Sequence, residues 1–185
     1  MATARDSHRR KTHSPGVGVL AALEGIALIV WHLIATPVIG RKRLRWGTVA
    51  AEATDSLPGD EFVPKPRWTY TLGMDIDAPP EAVWPWIAQI GQGRGGFYTY
   101  LTLENLAGCK ITNTTEILPD HQRPMVDDDI YLHPTAPPMP IKIVDPPKAL
   151  VLVGSPADMG AEESWGMSTW QFVVNPGPDG GSRFL

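Results

Sequence analysis

Cysteine is nearly absent: Cys109 stands alone among 185 residues. No internal disulfide can form, and one thiolate cannot by itself build a structural zinc site. Cys109 reads as a small buried hydrophobe, with a reactive thiol as the alternative. Charge is also scarce, at 19% of residues, and the formal net charge is −4. The body of the chain carries no basic patch, so nucleic acid is not expected as a partner. No G-x-S-x-G nucleophile elbow occurs. His121 and His133 stand apart, and with Asp127, Asp128 and Asp129 they lack ligand spacing on a fixed element. No metal and no cofactor are expected, and the aspartate run reads as a solvated turn. Glu104-Asn105 would need burial and a partner to act as an acid/base pair; a solvated or capping role is the simpler reading.

What is present is apolar and turn-rich. Hydrophobic residues make up 43%, which supports a core. Nineteen prolines and eighteen glycines imply many turns and broken strand edges. The basic residues gather near the N-terminus, which points to a membrane surface. Residues 1–15 are polar and basic and read as a disordered tail. Residues 16–40 are mostly apolar, closed by Arg41, Lys42, Arg43 and Arg45, and read as a single-pass membrane helix. Glu24 and His32 interrupt the run. An acid at the bilayer centre costs about 2.5–3.5 kcal/mol, which the leucines, isoleucines and valines outweigh. An amphipathic helix lying on the membrane or docked on the domain is the alternative. A cleaved signal peptide fits worse, because Pro37 and the basic cluster occupy the cleavage region. Basic residues flank both ends. The four after the span lie closer to it and set the expectation of a cytoplasmic globular domain.

Residues 41–66 read as a linker, with turn chemistry at Leu57-Pro-Gly-Asp60 and stiffening by Pro64 and Pro66. Residues 67–185 read as the globular domain. Tyr70, Leu72, Met74 and Ile76 alternate with Thr69, Thr71, Gly73 and Asp75, which predicts a strand over 68–77. Asp77 or Ala78 stands near the N-cap of a following helix, with prolines in its first turn. Val83, Trp86, Ile87 and Ile90 mark its inward face. Gly91 to Gly96 ends that helix, and a second short one is predicted over 97–107, with Phe97, Tyr100, Leu101 and Leu106 inward. Residues 130–133, 141–144, 149–153, 168–174 and 183–185 read as strands, the last two joined by a hairpin with Gly180 and Gly181 available for positive φ. The order of strand, two helices and successive strands predicts an α+β fold with a curved antiparallel sheet.

The motifs Asp75-Ile-Asp-Ala-Pro-Pro-Glu-Ala-Val-Trp-Pro-Trp86, Gln89-Ile-Gly-Gln-Gly-Arg-Gly-Gly-Phe-Tyr98 and Leu103-Glu-Asn-Leu-Ala-Gly108 resemble the START-like superfamily, also called SRPBCC or polyketide cyclase/dehydrase proteins. They look like its actinobacterial membrane-anchored branch. Leu44-Arg-Trp-Gly47, Leu57-Pro-Gly-Asp60, Pro146-Pro-Lys-Ala-Leu150 and Trp170-Gln-Phe-Val-Val174 extend the likeness over 44–185. The resemblance implies a helix-grip fold, in which a curved sheet wraps a C-terminal helix around a cavity for a hydrophobic small molecule or lipid. Tyr100-Leu-Thr102 departs from the branch's Tyr-Asp-Trp, and Val126-Asp-Asp-Asp-Ile130 from its Gly-Asp turn. The chain stops at Leu185 inside an expected strand, so the grip helix is expected to be missing. The sheet could then be completed by a partner chain.

Gly91-Gln-Gly-Arg-Gly-Gly96 satisfies G-x-G-x-x-G, but a helix precedes it and no βαβ unit follows, so it reads as a hinge rather than a dinucleotide site. Arg94 at the cavity mouth is a candidate for an anionic head group. Trp84, Trp86, Phe97, Tyr98 and Tyr100 are candidates to line the cavity, with plain core packing as the alternative. Residues 160–166 read as a mobile loop able to act as a lid. The leading expectation is a membrane-tethered domain that binds a hydrophobic ligand. One alternative is a cyclase/dehydratase-type enzyme acting on a polyketide-like or aromatic substrate. Another is an interaction protein or inactive fragment. No catalytic residue is assigned.

Overall fold

The computed structural model describes residue 31 and residues 44–99, 105–106, 108–155 and 167–185. The chain divides into two units, Met1–Arg43 and Leu44–Leu185. The expected membrane helix over 16–40 lies outside the described residues apart from Trp31. Among the described residues no helix is long and apolar enough to cross a membrane. The expected lid over 160–166 also lies outside them.

The second unit is an α+β fold. Its strands are β1 (Met74–Ile76), β2 (Asp129–Ile130), β3 (Met139–Asp145), β4 (Ala149–Gly154), β5 (Ser168–Pro176) and β6 (Ser182–Phe184). They form one six-stranded antiparallel sheet in the order β1-β6-β5-β4-β3-β2. A register shift between Ile141 and Ile143 breaks the β3–β4 ladder, the kind of irregularity that bends a strand. One α-helix, α1 (Pro80–Ala88), follows β1. Its N-cap is Pro79 rather than Asp77 or Ala78, with Pro80 in the first turn. Ala78 is instead held by its carbonyl, which accepts a 2.6 Å hydrogen bond from Ser182 Oγ.

Two sheet faces have different covers. Cross-strand partners share a face, so Leu150, Leu152, Trp170, Phe172, Val174 and Phe184 line one side. There α1 lays down Val83, Trp84, Ile87 and Ala88, joined by Ile90, Ile130, Met139 and Ile141. Burying each large apolar side chain contributes about 1.5–3 kcal/mol. Residues 83, 84, 87 and 88 lie on one arc of the helix, so Trp84 takes the core place expected of Trp86. Trp86 falls to the flank and is half-buried.

Every residue of β4 is buried, including Val151 and Val153 on the opposite face. The segment read as a linker covers that face. Gly59 lies so close to Val151 that a Cβ would sit 2.6 Å from Val151 Cγ1. Asp60, in a 3-10 turn over Asp60–Phe62, accepts a 2.8 Å bond from Gln171 Nε2. Glu52 pairs with Arg183 through two 2.7 Å bonds, and Arg183 also reaches Asp75 at 3.1 Å and the carbonyl of Gly47.

Three predicted elements differ. The strand expected over 130–133 is only Asp129–Ile130. The strand expected over 68–77 is only Met74–Ile76. It pairs with β6 from Met74 opposite Phe184 to Ile76 opposite Ser182. On the other side, the Thr71 and Gly73 amides donate to the carbonyls of Leu44 and Trp46, at 3.0 Å each. The second helix does not begin at Phe97. Residues 97–99 are non-helical and Tyr98 has φ 57°. Asn113 Oδ1 accepts the backbone amides of Phe97 and Tyr98, at 3.2 and 2.9 Å, and holds them in a non-helical path. Asn105 and Leu106 are helical; residues 100–104 and 107 are outside the described set. In the last hairpin, Asp179 and Gly180 take positive φ and Gly181 does not.

Candidate functional site

The C-terminal end of α1 meets two other segments, around Tyr98 and over 116–122, at one residue, Gln89. Its side chain has no exposed surface. The amide nitrogen donates to Tyr98 Oη at 2.7 Å and to the carbonyl of Glu116 at 3.1 Å. The amide oxygen accepts from the Leu118 amide at 2.9 Å and from Gln122 Nε2 at 3.1 Å. All four hydrogen-bonding positions of the amide are thereby used, as burial requires.

The glycine stretch after it is a tight backbone hairpin. Gly91 and Gly96 exchange hydrogen bonds of 3.0 and 3.1 Å across a turn. Gly96 has φ +85°, and a Cβ there would lie 2.4 Å from Asn113 Oδ1 and 2.8 Å from the Thr112 carbonyl. Glycine is required by that approach, not by a nucleotide. The Gln92 amide donates to the Tyr131 carbonyl at 2.9 Å, which ties the hairpin to the segment after β2.

Arg94 folds back under this hairpin. Its Nη2 donates to the Ala88 carbonyl at 3.0 Å, while its Nε is buried without a partner. Burial pulls the guanidinium's pKa below its ordinary value, and Asp128 opposes that shift.

The aromatic residues form two groups. Phe97 stacks on Trp170 with ring centroids 5.6 Å apart. Trp170 contacts Phe172 at 4.9 Å, and Phe172 faces Phe184 at 6.4 Å. This row runs across the apolar face of β5 and β6. Trp86 meets Tyr98 edge-on at 5.8 Å. Burial pushes the Tyr98 phenol pKa up, against the hydrogen bond from Gln89. Of the candidate lining residues, Trp84 is core and Phe97 begins the aromatic row. Trp86, Tyr98 and Arg94 surround the end of α1, and Tyr100 lies outside the described residues. Sequence reasoning missed Gln89, Asn113 and Trp170. Gln89 left one signal, an amide inside an otherwise apolar run. Asn113 left none, since its partners are distant in sequence.

A separate shallow cleft of about 240 Å³ lies between the end of β1 and the last hairpin, lined by Asp75, Ile76, Asp77, Pro178, Asp179, Gly181 and Ser182. Among the described residues no group of three or more histidine, cysteine or acidic side chains converges as a metal site. No family model, curated protein or solved structure matches the chain.

Proposed function

We propose that the chain is a membrane-tethered START-like domain that binds a hydrophobic small molecule or lipid against the apolar face of its sheet. The observation that carries this reading is the aromatic row Phe97–Trp170–Phe172–Phe184, beside α1 and the Arg94 hairpin. Affinity comes from apolar burial along that row, and orientation from few polar groups. Arg94, a half-buried cation tied to the end of α1, holds the anionic end of the ligand. The apolar run over 16–40 supplies the tether, with the globular unit on the cytoplasmic side.

Native mass spectrometry of the full chain released from detergent, after incubation with a lipid extract, tests the reading. The expected result is a compact charge-state distribution carrying an added small-molecule mass. Arg94→Ala should lower occupancy by anionic ligands and leave neutral ones in place. Compact ions that stay unliganded across the extract would overturn the proposal.

A further inference from the structure

Several large apolar side chains of the second unit are exposed, Leu106, Met125 and Val126 among them, and the exposed tryptophans Trp46 and Trp68 gather with others in one place. Trp46 is 77% exposed and Trp68 71% exposed, and Tyr70, Leu72 and Met74 are also open to solvent. They belong to one surface. The amides of Thr71 and Gly73 donate to the carbonyls of Leu44 and Trp46, so the two segments run side by side. Trp68 and Tyr70 stack in parallel, centroids 5.6 Å apart and planes 10° off. Exposed apolar surface of this kind marks an interaction site.

Charge selects the partner. Arg45, Lys65 and Arg67 are exposed on the same segments. Of the nearby acids, Glu52 and Asp75 are occupied by Arg183 and Asp60 by Gln171, while Asp55 and Glu61 are exposed. The unengaged basic groups beside tryptophan and tyrosine match the interface of an anionic bilayer, where indole and phenol rings sit at headgroup level. Pro64 and Pro66, with Lys65 and Arg67, precede the row and disfavour its extension as a pairing strand. In sequence, the surface also begins directly after the apolar run over 16–40 and its basic cluster.

We infer that Trp46, Trp68, Tyr70 and Leu72, flanked by Arg45, Lys65 and Arg67, dock the globular unit flat on an anionic lipid surface. This rests on the tether in the proposed function and not on its ligand. The contact is a second, reversible attachment, which holds the unit against the bilayer instead of letting it swing on the tether.

The test uses the full chain in vesicles of phosphatidylcholine, with or without one quarter phosphatidylserine. An environment-sensitive probe is placed at Thr69→Cys in a Cys109→Ser background, and a control probe at Asp129→Cys on the opposite sheet edge. Lipids brominated near the headgroup report depth. The Thr69 probe should be quenched in phosphatidylserine vesicles and the Asp129 probe should not. Lys65→Ala with Arg67→Ala should lower the docked-to-undocked ratio by roughly fivefold per charge removed. Trp68→Ser with Tyr70→Ser should abolish quenching while circular dichroism stays unchanged. If the protein floats with vesicles but the Thr69 probe is quenched no more than the control, docking is overturned and the tether stands. Failure to float overturns both. Quenching replaced by concentration-dependent energy transfer between labelled chains would assign the surface to strand pairing between copies and overturn the lipid assignment.

Discussion

Gln89 is the residue on which the local structure turns. A buried amide is costly unless every lone pair and proton finds a partner, and here Tyr98, Glu116, Leu118 and Gln122 supply them. Gln89→Leu keeps the volume and removes the partners. It leaves the Leu118 amide and the Glu116 carbonyl without their partner beside the core, which should cost about 3 kcal/mol. A urea denaturation midpoint measures this, and an unchanged midpoint would mean that the four bonds contribute nothing net. Tyr98 would also lose the bond that opposes its raised pKa, so its phenol should titrate still higher in the variant, as long as the ring stays in place. Arg94 shows the opposite condition, a buried nitrogen left open.

At the scale of elements, the glycine hairpin is shaped by close approach. Gly93 and Gly96 both have positive φ, yet only Gly96 is crowded; a Cβ at Gly93 would meet nothing within 4 Å. Gly93→Ala should therefore cost about 1 kcal/mol, the backbone strain alone. Gly96→Ala adds a clash with Asn113 Oδ1 and the Thr112 carbonyl and should cost at least twice as much. Thermal midpoints of the two variants check the order, and equal losses would remove the steric argument. Strand β1 illustrates a different limit. Its residues alternate from Trp68 onward, but its pairing with β6 is confined to Met74–Ile76, and the Thr71 and Gly73 amides bond to Leu44 and Trp46 instead. Alternation states which face a residue would take; only a neighbour makes it a strand.

At the scale of the whole molecule, the segment over 44–62 is a layer on the sheet and not a free connection. Glu52 and Arg183, 131 positions apart, fasten it. The Arg183 hydrogen bonds hold the Glu52 carboxyl at about 2, below its ordinary 4.5, while burial opposes the shift. A depressed acid stabilises the fold above its unfolded pKa, and the gain disappears as pH falls through the folded value. The pair is partly solvated, so Glu52→Gln should lose about 1 kcal/mol at neutral pH. The deficit should persist down to pH 4.5 and vanish towards pH 2. Chemical denaturation along that pH series tests it, and a deficit that does not vary with pH would show that charge is not what fastens the layer.

The sequence by itself determined the α+β class, the helix after the first strand, and strands near 141–144, 149–153 and 168–174. Hydrophobic period and turn residues are local, and these elements follow them. The tertiary structure alone decided that Trp84 is core and Trp86 flank, since that depends on where the helix axis lies over the sheet. It alone placed Asn113 against Phe97, Glu52 against Arg183 and Gln89 against Leu118. Those contacts join residues 16 to 131 positions apart, and no periodicity within a segment encodes which distant partner will satisfy a polar group.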